Sequence, residues 1–150
     1  MLSNACQNAI RSVLYLAMFS DKEKKIGVKP LAENLEIPQP FLAKVLQNLN
    51  KADIVSSVKG PYGGFYLNKN STKTVWDIII CIDGSKKFDN CFLGLAKCSD
   101  QNPCPIHFTV KPFKDKIMSD FRDKTIFQFS SEIKKSNKVI SLKDFDVLDN

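Results

Sequence analysis

Long hydrophobic runs are missing from this 150-residue chain, and no apolar stretch approaches the roughly 20 residues that a membrane-spanning helix needs. The N-terminus, MLSNACQNAIRS, lacks the basic segment and cleavable apolar stretch of a secretory leader. A cytoplasmic protein with no membrane partner is therefore expected. Histidine is almost absent, with His107 the single instance. No CxxC pair occurs, which argues against dithiol oxidoreductase chemistry and against the tight knuckle of many structural zinc sites. What remains, 43% hydrophobic and 25% charged residues, is the composition of one globular domain, or a small domain with an appendage.

The net charge of +6 fits a polyanionic partner, but in bulk it says little, because each third of the chain carries +2. Locally it says more. Between Ile54 and Val75 there is no acid, only Lys59, Lys69 and Lys73.

Periodicity predicts an amphipathic helix over residues 5–19, with Ile10, Val13, Leu14 and Ala17 at i, i+3, i+4, i+7. A short helix is predicted over 29–36, where Pro30 suits a first turn, and Ile37-Pro38 ends it. A third helix, about 40–52, places Leu42, Val45, Leu46 and Leu49 on one face and Gln39, Ala43, Lys44 and Gln47 roughly opposite. From Ile54 to Leu67, β-branched residues flank Gly60-Pro61 and Gly63-Gly64, the pattern of a hairpin. A fourth helix is expected over 75–82, capped by Ser71 or Thr72 and stopped by Gly84. Residues 85–109 form a cysteine-rich loop segment. A long amphipathic helix over 110–133, with Phe113, Ile117, Phe121, Ile126 and Phe129, invites a helical partner. No element is predicted for 134–150.

The expected fold is mainly α with a small β-hairpin: a winged helix-turn-helix over 1–84, followed by the loop and a dimerisation helix. In that arrangement the second helix of the pair enters the major groove of double-stranded DNA, so its exposed side must offer amides and cations. Gln39, Gln47 and Asn48 suit base edges, and Lys44 and Lys51 suit phosphates. Lys59 and Tyr62 at the wing tip could reach the backbone or minor groove. Ordinary core-packing helices and an ordinary hairpin would give a similar pattern.

Cys91, Cys98 and Cys104 lie within fourteen residues, and His107 follows three positions later. Three thiolates and an imidazole complete a four-ligand set, and soft sulfur selects iron-sulfur clusters, zinc or copper(I) over magnesium and calcium. Intervals of six and five residues fit a cluster of two or more irons better than a zinc knuckle. Free redox-sensing thiols are a rival reading. So is a thiol oxidoreductase using Cys104 with His107 as base, although a cationic wing is nothing that catalysis requires. Cys81, within Ile-Ile-Ile-Cys-Ile, reads as a core residue, and Cys6 has no assigned role.

These residues together resemble the Rrf2 family of winged-helix transcriptional regulators, whose branches include IscR, NsrR and CymR. The marks are Tyr15-Leu16-Ala17, Ile37-Pro38 through Leu49, Lys59-Gly-Pro-Tyr-Gly-Gly-Phe65 and the cysteine loop, over about residues 1–130. The resemblance implies a non-enzymatic regulator, a repressor, that forms a homodimer through the helix after the loop and binds a roughly twofold operator. It also implies an iron-sulfur cluster on Cys91, Cys98, Cys104 and His107 that reports iron-sulfur status, redox state or nitric oxide. In the NsrR branch an acid on the first helix completes a four-iron site. Gln7 stands at the corresponding position here, which favours His107 and a two-iron, two-sulfur cluster. Two departures stand out: Lys59 replaces the family's usual Arg, and the first cysteine interval is one residue longer than in the IscR branch, which keeps a four-iron cluster open.

Overall fold

The computed structural model describes residues 2–136 and has six α-helices and one hairpin among them. They are α1 (Asn4–Phe19), α2 (Val28–Leu35), α3 (Gln39–Lys51), β1 (Ser56–Val58), β2 (Gly64–Tyr66), α4 (Val75–Asp83), α5 (His107–Asp123) and α6 (Ile126–Lys135). A single 3₁₀ turn, Ser85–Phe88, follows α4. The expected tail lies outside the described residues from position 137 onward.

The main core is made where α1, α2, α3 and α4 present their apolar stripes to one another. Val13 and Leu16 of α1, Leu31 and Leu35 of α2, and Leu42, Leu46 and Leu49 of α3 are all buried there with Leu67 and Ile78. Burying each such side chain is worth about 1.5–3 kcal/mol. The first four helices match the sequence expectation to within a residue or two at each end. Ser3 caps α1 by accepting the Cys6 N–H at 3.1 Å, and Glu36 ends α2 in the left-handed region at φ 55°.

Two expectations are corrected by capping chemistry. Thr74, rather than Ser71 or Thr72, caps α4: its hydroxyl accepts the Asp77 N–H at 3.2 Å while Asp77 accepts the Thr74 N–H at 2.7 Å. Ser71 instead accepts the Lys73 N–H. The helix expected over 110–133 is two helices. Lys124 is extended, and Thr125 with Gln128 forms a second reciprocal capping box that starts α6. The Ile126 N–H donates to the Lys73 carbonyl at 2.9 Å, so α6 is anchored beside α4 and folds back on α1.

That return changes what the apolar residues of the segment do. Ile126 enters the main core. Phe121 and Phe129 pack with Met118 against a second cluster of Cys6, Val75, Ile79 and Phe88. Phe108 and Phe113 remain 73% and 63% exposed on α5.

Candidate nucleic-acid interface and cysteine loop

Gln39, Lys44, Gln47, Asn48 and Lys51 are all exposed on α3, because the buried residues Leu42, Val45, Leu46 and Leu49 occupy the opposite face. The hairpin stands beside this helix. Its strands pair antiparallel with Ser57 opposite Phe65, and Ile26 adds a bridge to Phe65 through hydrogen bonds of 2.8 and 2.9 Å. Gln47 and Asn50 of α3 and Ser57, Lys59, Gly60 and Gly63 of the hairpin line an open cleft of about 450 Å³. Asn50 and Ser57 were not picked out from sequence. Asn50 lies three residues after Gln47, a spacing that puts both on one helix flank and could have identified it. Asn48 sits on the other flank, where its carbonyl accepts the Cys81 Sγ–H at 3.7 Å.

Tyr62 is 91% exposed at the wing tip, with Lys59 exposed beside it. Two glycines make this tight turn possible. A Cβ on Gly63 would lie 2.1 Å from the Val58 carbonyl oxygen, and one on Gly64, at φ 147°, would lie 2.8 Å from the Ile26 backbone. The acid-free stretch is less uniform than its charge implies. Lys69 pairs with Asp21 at 3.6 Å, and the Lys73 ammonium donates to the Ala52 carbonyl at 3.4 Å, at the C-terminal end of α3. Lys59 is the member of that stretch placed at the wing tip.

The cysteine loop leaves α4 at Gly84 and returns at His107, the first residue of α5. Phe88 pins its start, buried against Trp76 at 5.7 Å between ring centroids. Cys91 is buried and Cys98 and Cys104 are half-buried. The four predicted ligands fall into two pairs. The His107 ring, 2% exposed, places Nδ1 3.4 Å from Cys98 Sγ. The Cys91 thiol lies beside that of Cys104. Among the described residues no three Cys, His or acidic side chains converge as a single-ion site requires. The imidazole thus faces Cys98, whereas Cys104 meets His107 through the backbone, its carbonyl accepting the His107 N–H at 3.0 Å. A Cys104–His107 nucleophile and base pair is not what the fold assembles.

The electrostatics set Cys91 apart from the two cysteines outside the loop. Backbone N–H groups of Leu93 and then Leu95, with smaller contributions from Cys104 and the Lys114 ammonium, hold the Cys91 thiol below its ordinary value against the opposing effect of its burial, favouring the thiolate. Lys114 is positioned by donating to the Asn90 carbonyl at 3.2 Å. Burial, with the nearby Asp83 charge, pushes Cys6 up to about 12, and burial raises Cys81 as well. Asp100, absent from the sequence expectation, lies with Oδ1 2.7 Å from His107 Nε2 and is held below the usual carboxylate range chiefly by that hydrogen bond. No motif in the sequence announces it.

Residues 2–132 match the family described as Rrf2, iron-dependent transcriptional regulator. An HTH-type transcriptional regulator of Aquifex aeolicus (strain VF5) is 38% identical over 129 residues, covering 84% of this chain and 88% of that protein. The HTH-type transcriptional regulator IscR of Vibrio atlanticus (strain LGP32) is 27% identical over 149 residues, covering 99% of this chain and 83% of the relative. Among solved structures, CymR (YrzC), the global cysteine regulator of B. subtilis, superposes with a TM-score of 0.70 at 20% identity, covering 88% of this chain and 97% of that one. T. potens IscR superposes with a TM-score of 0.64 at 22% identity, covering 94% and 93%. These relatives are named as regulators rather than enzymes. Among the described residues no helix is long and apolar enough to cross a membrane.

Proposed function

The chain belongs to the Rrf2 family of transcriptional regulators, and from that premise we propose that it is a cytoplasmic, homodimeric repressor whose DNA binding responds to an iron-sulfur cluster on Cys91, Cys98, Cys104 and His107. The observation that carries this reading is the buried imidazole of His107 turned toward Cys98, on the same loop as the Cys91 and Cys104 pair. Two pairs of donors suit a two-iron, two-sulfur cluster, in which each iron takes two protein ligands. Bound there, a cluster would supply iron reactive toward oxidants and nitric oxide, and its state would report redox state, nitric oxide or iron-sulfur status.

The protein's own residues do the rest. Gln39, Gln47 and Asn48 are offered to base edges, and Lys44, Lys51, Lys59 and the Tyr62 hydroxyl to the backbone. Phe108 and Phe113, exposed on α5, supply the apolar contact with a second copy, a smaller surface than the whole 110–133 stripe. The domains are assigned as 1–84 for DNA binding, 85–109 for the cluster, and α5 for pairing. Helix α4 joins the loop to the reading helix, ending at Gly84 on one side and touching the Asn48 carbonyl through Cys81 on the other.

Anaerobically purified protein is expected to be coloured and to contain iron and acid-labile sulfide. A colourless, metal-free protein after reconstitution overturns the cluster reading and leaves a regulator that works through zinc, thiol oxidation or a protein partner. Binding to a fragment selected from genomic DNA, measured as mobility shift with and without the cluster, tests the regulatory claim.

A further inference from the structure

The imidazole of His107 is held from both sides. Nε2 lies 2.7 Å from Asp100 Oδ1, and Nδ1 lies 3.4 Å from Cys98 Sγ. A neutral imidazole has one N–H, and an ionised carboxylate can only accept, so the proton belongs on Nε2 and the lone pair on Nδ1. That lone pair faces Cys98. We infer that Asp100 is a positioning residue that makes Nδ1 the ligating nitrogen of His107 and keeps it turned toward Cys98. The inference rests on the cluster reading above.

Asp100 is steered into this place. Its side chain is 67% exposed, so burial does not fix it, but Lys111, one turn beyond His107 on α5, lies 3.9 Å from Oδ2 and draws the carboxylate toward the helix that carries the imidazole. Lys111 is in turn braced by Asp115 at 2.9 Å. The ring has little room to turn, being 2% exposed and packed edge-on to Phe108 at 5.1 Å between centroids. A carboxylate on the far nitrogen of a ligating histidine fixes the tautomer and the ring plane and raises the basicity of the near nitrogen. The donor set, Nδ1 and three sulfurs, is of the soft kind that such a cluster takes.

The single histidine makes the test direct, since in untagged protein a labelled imidazole can only be His107. Two samples carry ¹⁵N at Nδ1 or at Nε2, and pulsed electron paramagnetic resonance of the reduced cluster reads which nitrogen is strongly coupled to the spin. Strong coupling at Nδ1 is expected. Asp100→Asn, whose amide oxygen can still accept the Nε2–H, is expected to keep this pattern. Asp100→Ala is expected to show coupling from both labels and to hold its cluster roughly 10-fold less tightly. Nitrogen NMR of the metal-free protein is expected to find the proton on Nε2 in the wild type and, in Asp100→Ala, a mixture of the Nδ1–H and Nε2–H tautomers. This second reading needs no cluster. Strong coupling at Nε2 overturns the inference and leaves the ligand set standing. Coupling at neither nitrogen overturns His107 ligation and the inference with it. An Asp100→Ala protein indistinguishable from wild type in both measurements overturns the role of Asp100.

Discussion

Between Asn4 and Asp83 every helix sends apolar side chains into a shared interior, with Leu16, Leu31, Leu42, Leu46, Leu49 and Ile78 fully buried. Between Ser85 and Ile106, by contrast, only Phe88 and Cys91 are buried, while Phe92, Leu93 and Leu95 project into solvent. The first region is shaped by apolar burial. The second is shaped by a few polar contacts, such as the Cys98 N–H to the Asp89 carbonyl at 3.4 Å and Asp100 to His107. The difference teaches where a ligand could act: on the proposed cluster reading, a loop with almost no core of its own would take its order from what its thiols and imidazole hold, while the body beside it has a filled core of its own.

That contrast can be broken most forcefully in the body. Leu46→Ala is expected to destabilise the protein by about 2–5 kcal/mol in denaturant melts, because it opens a cavity in a filled core. Leu93→Ala in the loop is expected to change the same melt by no more than about 0.5 kcal/mol; equal losses would show that the two regions fold as one. Next in size, Gly63→Ala is expected to cost DNA affinity severalfold while leaving most of the body's stability intact, since its Cβ would strike the Val58 carbonyl and distort the wing. Lys44→Ala and Lys59→Ala should each reduce the slope of log affinity against log salt by roughly one unit for a lost phosphate contact. An unchanged slope would remove those lysines from the interface.

The smallest expected effect lies at the seam between the regions. Despite burial, which works the other way, the hydroxyl and N–H of Ser3 together with Lys87 hold Asp83 below the usual carboxylate range. A lowered folded-state value favours folding above the unfolded-state value, near pH 4, and that contribution disappears as pH falls through the folded one. Asp83→Asn is therefore expected to flatten the acid limb of a stability-against-pH curve while leaving its neutral plateau slightly lower. An acid limb identical to wild type would place the acid sensitivity elsewhere.

Helices α1 to α4 were legible because their stripes are regular and their ends carry chemistry that reads locally. The cysteine trio and His107 stood out in the sequence by their crowding, and the fold sets the His107 ring against Cys98. The end of α5 was missed although Thr125 and Gln128 form a capping box, since the apolar period runs on through it and periodicity outweighed the cap. The stripe also disguised a division of labour: Phe121, Ile126 and Phe129 face inward because α6 folds back, an outcome decided by tertiary packing. Lys69 and Lys73 belong to the acid-free stretch, but a charge count cannot see Asp21 or the Ala52 carbonyl that they meet. Asp100 was invisible for a similar reason, as a loop carboxylate gains meaning only from the ring it meets.

The paired hydrogen bonds between Ile26 and Phe65 have a mechanical consequence. They clamp the wing to the segment that enters α2, so wing and reading helix form a caliper with a fixed opening. In the proposed homodimer, with two such units on one operator, the quantity left free to adjust would be the distance and angle from one caliper to the other. A signal at the loop would then tune the gap between half-sites, while the grip on each half-site keeps its fit.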